Sequence, residues 1–404
     1  MTDLKIDAMG SRGEAIAHIE GTPVYIPYAL PGEHVGADIK DGRGRLTAVH
    51  EASSERAEPP CSYFGTCGGC QLQHWSQQPY AHWKRRLVVD ALSRKGIVET
   101  EIEPLVEAHG AGRRRVTLTV WGGKAGFSAH RSHQLVPIAS CQVLVPQLGP
   151  AFQIASELVG ALKLKKSQKV HLLASDTGLD CELIDVDDPD LDVRVQIAEL
   201  AEKFALARVT AKGEMLIERV RPVLNVDGAM VTPPPGGFAQ ATAAGEAALA
   251  SLVSDGLAGH SIVADLFSGW GAFGLRLARV SRVLAVDSDK RAISALQAAA
   301  RNTTGLKPLV ARSHDLRRDP LTAPELKGIT GAVFDPPRAG ALAQATELVS
   351  ARNVQTVVGV SCDAGTFARD ASVLINGGFR LERVIPVDQF KYTAHVEMVG
   401  IFNR

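Results

Sequence analysis

Cys362 closes the apolar run TVVGVSC, and the polar Asp363-Ala364-Gly365-Thr366 follows it. A thiol there sits at the carboxyl end of a buried strand, where open α/β sheets bind their ligands. Free cysteines are more often plain core residues, so this one gains meaning from its companions. Phe334-Asp335-Pro336-Pro337-Arg338 ends another apolar run, and consecutive prolines stiffen the loop that carries the acid. Glu397 stands among apolar residues in HVEMVGIF. A lone buried carboxylate is costly unless paired, which marks Glu397 as a candidate tuned acid or base. A thiol beside a ligand cleft and a tuned acid or base are groups able to do chemistry.

A second group points to a bound nucleoside. Asp265-Leu-Phe267-Ser-Gly269-Trp-Gly271-Ala-Phe-Gly274 lies where a strand gives way to a helix. Glycines there make the tight turn and let backbone approach a ligand. Asp287 ends the next strand, VLAVD, 22 residues after Asp265. An acid in that position accepts hydrogen bonds from ribose hydroxyls. NAD and S-adenosylmethionine both carry such a ribose, so these residues do not choose between them, although an acid at the tip, Asp265, counts against NAD. Asp315, after a third strand, is placed to meet an adenine edge; a solvated loop acid is the equal alternative.

The third group is cysteine-rich. Cys61-x5-Cys67-x2-Cys70 presents three thiols, and Cys67-Gly68-Gly69-Cys70 is a turn able to bend two of them toward one centre. Cys141, in IASCQVL, is the expected fourth ligand, with Cys181 left as a core or surface thiol. Six cysteines are too few for a disulfide scaffold of 404 residues, and spacing leaves zinc and iron–sulfur both open.

The elements that must position these groups fall into three domains. Residues 1–53 alternate short apolar stretches with glycine turns and predict a small β-barrel. Residues 56–225 predict a β-rich central domain, with helices over 147–164 and 191–207. Residues 230–404 open on an alanine-rich helix over 240–254. They continue as SIVADLF, RVLAVD, GAVFD and TVVGVSC, apolar runs typical of parallel strands covered on both faces. The fold class is therefore α/β, a Rossmann-like doubly wound domain preceded by the barrel and the central domain. Lys+Arg and Asp+Glu both number 44, so net charge does not advertise a nucleic-acid partner. Basic runs at Lys84-Arg85-Arg86, Arg113-Arg114-Arg115 and Lys163 to Lys166 are local exceptions, each more often a solvated face. Without a membrane-length apolar run or a signal peptide, the chain is expected in the cytoplasm, as a monomer.

Together these motifs resemble the RNA uracil-C5 methyltransferases, over nearly the whole chain. DLFSGWGAFG resembles that family's cofactor loop, FDPPRAG its fourth motif, SCDAGTFARD its nucleophile motif and VDQFKYTAHVE its base motif. The resemblance implies Cys362 as nucleophile, Glu397 as base, and Gln240, Phe267, Asp287 and Asp335 around S-adenosylmethionine. CSYFGTCGGCQLQHW resembles the ribosomal-RNA branch, which implies a 4Fe–4S cluster on Cys61, Cys67, Cys70 and Cys141. The N-terminal strands resemble the TRAM domain, an OB-like barrel that binds RNA, which implies Tyr25 and Tyr28 as residues to stack on bases, with core packing the equal alternative. Ribosomal RNA is the favoured substrate, with tRNA as the alternative. Ala272, Thr242 and Asp363-Ala364 depart from the family pattern. An amino-group nucleobase methyltransferase would carry an aromatic where Arg338 stands, and a silent RNA-binding protein would have no need of Cys362 or Glu397.

Overall fold

In the computed structural model, residues 2–164 and 166–404 are described; Lys165, within the third basic run, lies outside them. The N-terminal unit is a six-stranded sheet in the order Thr2–Lys5, His34–Lys40, Arg43–Glu51, Thr22–Ile26, Ala15–Ile19, Ala8–Met9. Its inward positions, among them Ala15, Ala17, Val24, Ile26 and Val35, form a small core of their own. Two buried acids tie it to the rest. Glu33 receives Arg56 at 2.6 Å, and Glu14 receives Arg131 at 2.6 Å from the central domain.

The central unit is a seven-stranded sheet. Its order is Leu135–Pro137, Lys124–Ser128, Arg115–Trp121, Gln168–Ser175, Gly178–Ile184, Leu206–Ala211, Glu214–Glu218. The helix expected over 147–164 is Ala151–Ala161, after a short 3-10 turn at Pro146–Leu148. The one expected over 191–207 ends at Lys203, because Ala205 turns at φ 50° and the chain reverses into the fully buried strand Leu206–Ala211.

The C-terminal unit carries a nine-stranded sheet. Its order runs Leu309–Ser313, Arg282–Asp287, Ile262–Leu266, Gly331–Phe334, Thr356–Ser361, Glu397–Asn403, Arg380–Asp388, Glu101–Ile102, with Val106–Glu107 also paired to Arg380–Asp388. The first five are parallel, and Glu397–Asn403 is antiparallel to both its neighbours. Thr356–Ser361 is buried along its whole length, as a strand with helices on both faces must be. Chain order reverses between Ile262–Leu266 and Gly331–Phe334, which opens a crevice at their carboxyl ends.

Two strands of this sheet come from the segment expected in the central domain over 56–225. The helix Gln77–Ser93 also packs here. Val88, Ala91 and Leu92 lie three and four residues apart on one face and join the core under Phe367 and Phe402. By hydrogen bonding and packing, this helix and these two short strands join the C-terminal sheet. Among the described residues, no helix is long and apolar enough to cross a membrane.

Candidate active site

The crevice is a cleft of about 620 Å³, within the range that holds small ligands. Gln240, Phe267, Gly269, Asp287, Asp315, Asp335, Cys362 and Glu397 all line it. The loop after Ile262–Leu266 turns through Phe267 at φ 63° and Gly269 at φ 54°. Asp287 accepts from the Gly269 N–H at 2.9 Å and from the Asp289 N–H at 2.8 Å. Its carboxylate is thereby fixed at the rim with acceptor capacity left over.

Two residues of the glycine loop stand elsewhere. Gly271, expected to contact the cofactor, does not line the cleft. Its φ is 96°, and a Cβ there would fall 2.4 Å from Leu296 Cδ1, so it makes the turn and lets the helix behind approach. Asp265 is not an exposed tip. It is fully buried with Gly274 against it, and a Cβ on Gly274 would fall 2.8 Å from its Oδ2. Burial pushes its carboxyl up to about 8.

At the other end of the cleft a chain of amides joins two acids. Gln240 Nε2 donates to Asp335 Oδ2 at 3.0 Å. Gln389 Nε2 donates to Gln240 Oε1 at 2.7 Å and to Glu397 Oε1 at 3.2 Å. Burial holds both carboxyls well above the usual carboxylate range, and at Glu397 the Asp335 charge adds to it. Cys362 is half-buried and its thiol is pushed up to about 11, first by burial and then by Glu397 and Asp335, with Arg338 opposing.

The loop that leads into Glu397 is held from below. Asp388 accepts from Lys84 Nζ at 2.5 Å and from the Tyr80 hydroxyl at 2.7 Å, all three buried. Lys84, expected on a basic surface patch, is thus a core residue. Arg114 likewise pairs with buried Glu246, and Arg115 stacks on Phe238 with 4.5 Å between guanidinium and ring centre. Removing Lys84 or Asp388 would leave the other buried charge without its counter-charge, whereas Glu246 also holds Arg276 at 3.0 Å.

Cys362, Arg338 and His395 line a second opening as well. It is an outer groove of about 930 Å³, and Arg12, Arg94, His130 and Arg131 also line it. The thiol therefore stands where the cleft meets a groove shared by all three units.

Cys61, Cys67, Cys70 and Cys141 line a separate cavity of about 270 Å³. Burial raises the thiols of Cys67, Cys70 and Cys141, and neighbouring thiols add to it. The Gly69 N–H donates to Cys67 Sγ at 3.4 Å, and a Cβ on Gly68 would fall 2.8 Å from Ser128 O. Among the described residues, no three Cys, His, Asp or Glu side chains converge closely enough to hold one metal ion. Phe390 and Arg115 line both this cavity and the cleft. Cys181 is fully buried in the central core. Tyr28 packs edge-on against Phe64 and His130, whereas Tyr25 is exposed.

Sequence reading missed Gln389, Arg115 and His395. Amides and cations carry no spacing signature, and only the fold brings 240, 335, 389 and 397 together. Two of the departures sit at helix caps: Thr242 accepts from the Gly245 N–H at 2.8 Å and Asp363 from the Thr366 N–H at 2.9 Å. Threonine and aspartate cap as asparagine does.

The tRNA (uracil-5-)-methyltransferase family matches over residues 321–404. An uncharacterized RNA methyltransferase of Rhizobium meliloti is 41% identical, over 99% of this chain and 98% of that protein. The 23S rRNA (uracil(1939)-C(5))-methyltransferase of Chromohalobacter salexigens is 33% identical, over 99% of this chain and 89% of that one. The solved tRNA (uracil-54, C5)-methyltransferase of Pyrococcus abyssi, in complex with S-adenosyl-L-homocysteine, has the same fold, with a TM-score of 0.76 at 20% identity over 99% of both chains. With a cleft at the switch point of its sheet and relatives along its whole length, the chain belongs to the S-adenosylmethionine-dependent RNA uracil-C5 methyltransferases.

Proposed function

We propose that the chain methylates carbon 5 of one uridine in 23S ribosomal RNA through a covalent adduct on Cys362. The observation that carries this reading is the position of Cys362, which lines both the cleft and the outer groove. A target ring swung out of its stack can enter from the groove while the methyl donor occupies the cleft. S-adenosylmethionine, when bound, supplies an electrophilic methyl group. Phe267, Gly269, Asp287 and Asp315 are the residues proposed to hold it, with Asp287 on the ribose hydroxyls. Gln240 and Asp335 border the base.

Carbon 5 of uracil is a poor nucleophile. Addition of the Cys362 thiolate to carbon 6 makes carbon 5 part of an enolate, which attacks the methyl group; the methyl–sulfur bond of the donor breaks and S-adenosylhomocysteine is the leaving group. Carbon 5 then carries both a methyl and a hydrogen. Glu397 takes that proton, the ring double bond re-forms, and sulfur leaves. Burial and the two acids oppose the thiolate, and Arg338 favours it.

The four cavity thiols are proposed to hold a 4Fe–4S cluster, which would fold this region and brace the wall at Phe390 and Arg115. The donor set fits, since thiolates of a cluster bind separate irons and need not converge on one point as a tetrahedral zinc site requires. Chain purified without oxygen should carry about 4 iron atoms with a broad visible absorbance. Cys70→Ser should lose both and lower the melting temperature; iron-free protein of unchanged stability would overturn this.

The N-terminal sheet is proposed as the TRAM-like RNA-binding domain, in a cytoplasmic monomer. The 23S substrate is favoured by the 33% identical relative of that name; a tRNA uridine is the second reading. Mass spectrometry of both RNAs from a deletion strain separates them. Loss of one 5-methyluridine from 23S RNA is expected. Loss from tRNA selects the second reading, and an unchanged set removes both.

A further inference from the structure

Gln389 touches neither opening but sits at the centre of the polar network between them. It is fully buried, on the loop that follows Arg380–Asp388. Its two amide hydrogens are both used inward, on Gln240 Oε1 at 2.7 Å and on Glu397 Oε1 at 3.2 Å. Gln240 in turn donates to Asp335 at 3.0 Å. The Thr242 N–H donates to Gln389 Oε1 at 3.4 Å, which fixes the amide's orientation and leaves its nitrogen facing the acids. The fit is tight on the other side too: a Cβ on Gly245 would fall 2.7 Å from Gln389 Cβ.

We propose that Gln389 is a positioning residue. Its amide holds one oxygen of Glu397 so that the other is free to take the carbon 5 proton, and it couples that carboxylate to the Gln240–Asp335 pair. The proposal rests on the reading of Glu397 as the base. An N–H donated to a carboxylate favours its ionised form. The other charges that bear on Glu397 are Asp335, which opposes ionisation, and Arg115 and Arg338, which favour it; the Cys362 thiol is the remaining titratable neighbour. Glu397 is 5% exposed, so water does not replace a lost donor. Without Gln389, Glu397 must hold its proton to higher pH and take the substrate's proton less readily at neutral pH.

Gln389→Met keeps chain length and removes both donors; Gln389→Glu keeps shape and replaces the donor with an acceptor. The carboxylic C=O infrared band that vanishes in Glu397→Gln reports the protonation of Glu397 in the full chain, without RNA. Its midpoint is expected to move to higher pH in Gln389→Met and further in Gln389→Glu. In a gel assay, the protein–RNA adduct should persist in Gln389→Met at neutral pH and clear as pH rises, with S-adenosylhomocysteine affinity little changed. A lowered melting temperature with an unmoved infrared midpoint would make Gln389 merely structural and overturn the proposal. Absence of any RNA adduct from Glu397→Gln would instead count against the covalent mechanism, while the infrared midpoint still decides the role of Gln389.

Discussion

Replacing Cys362 with alanine should lower uridine methylation by about 10⁴-fold or more, as removal of a covalent nucleophile does, while S-adenosylhomocysteine binding stays within about threefold. The two effects separate because the residues proposed to hold the cofactor belong to the Phe267–Gly269 loop, Asp287 and Asp315, whereas Cys362 stands at the junction with the outer groove. Among the described residues, no other cysteine lines that cleft. Single-turnover methyl transfer to RNA from the deletion strain, with calorimetry for the cofactor product, measures both quantities. A Cys362→Ala protein that methylates at the original rate would sink the covalent mechanism.

Glu397→Gln should stop the reaction one step later. Addition and methyl transfer need the thiol and the donor, but release needs a base at carbon 5. Glutamine keeps the shape and still meets Gln389, yet it accepts no proton. Turnover should fall by roughly 10²–10⁴-fold, and a denaturant-resistant protein–RNA adduct should accumulate. In the unaltered protein the same step gives a pH dependence of definite sign. Burial and Asp335 hold the Glu397 carboxyl above the usual carboxylate range. Release is fast only where Glu397 is ionised, so its rate should rise with pH and then level off, and the profile should be flat in Glu397→Gln. Fast release from Glu397→Gln would assign the base elsewhere.

The distribution of buried charge gives both predictions their context. Asp335 and Glu397 share one buried network whose direct hydrogen-bond partners are amides, and burial holds both carboxyls above the usual carboxylate range. Lys84 and Asp388, a few residues away in the fold, are paired directly and lock the loop that presents Glu397. The Lys84–Asp388 pair holds position; the other includes the carboxylate proposed to take the carbon 5 proton.

Much of the architecture was legible in the amino-acid sequence. Continuous apolar runs such as TVVGVS must be covered on both faces, which dictates a parallel sheet and places Cys362 and Asp335 at strand ends, where a cleft forms. Glycine positions revealed the turn but not its division of labour: Gly269 faces the cleft, while Gly271 and Gly274 yield to Leu296 and Asp265. Local pattern also misassigned Lys84 to the surface, since its partner Asp388 lies 304 residues away. Only the tertiary structure decided that Gln77–Ser93 and two short strands complete the C-terminal sheet, that Gln389 bridges Gln240 and Glu397, and that the thiol opens to two sides. The reason is physical: strand and helix periodicity is written in neighbouring residues, whereas the pairing of buried polar groups depends on which distant segments the core brings into contact.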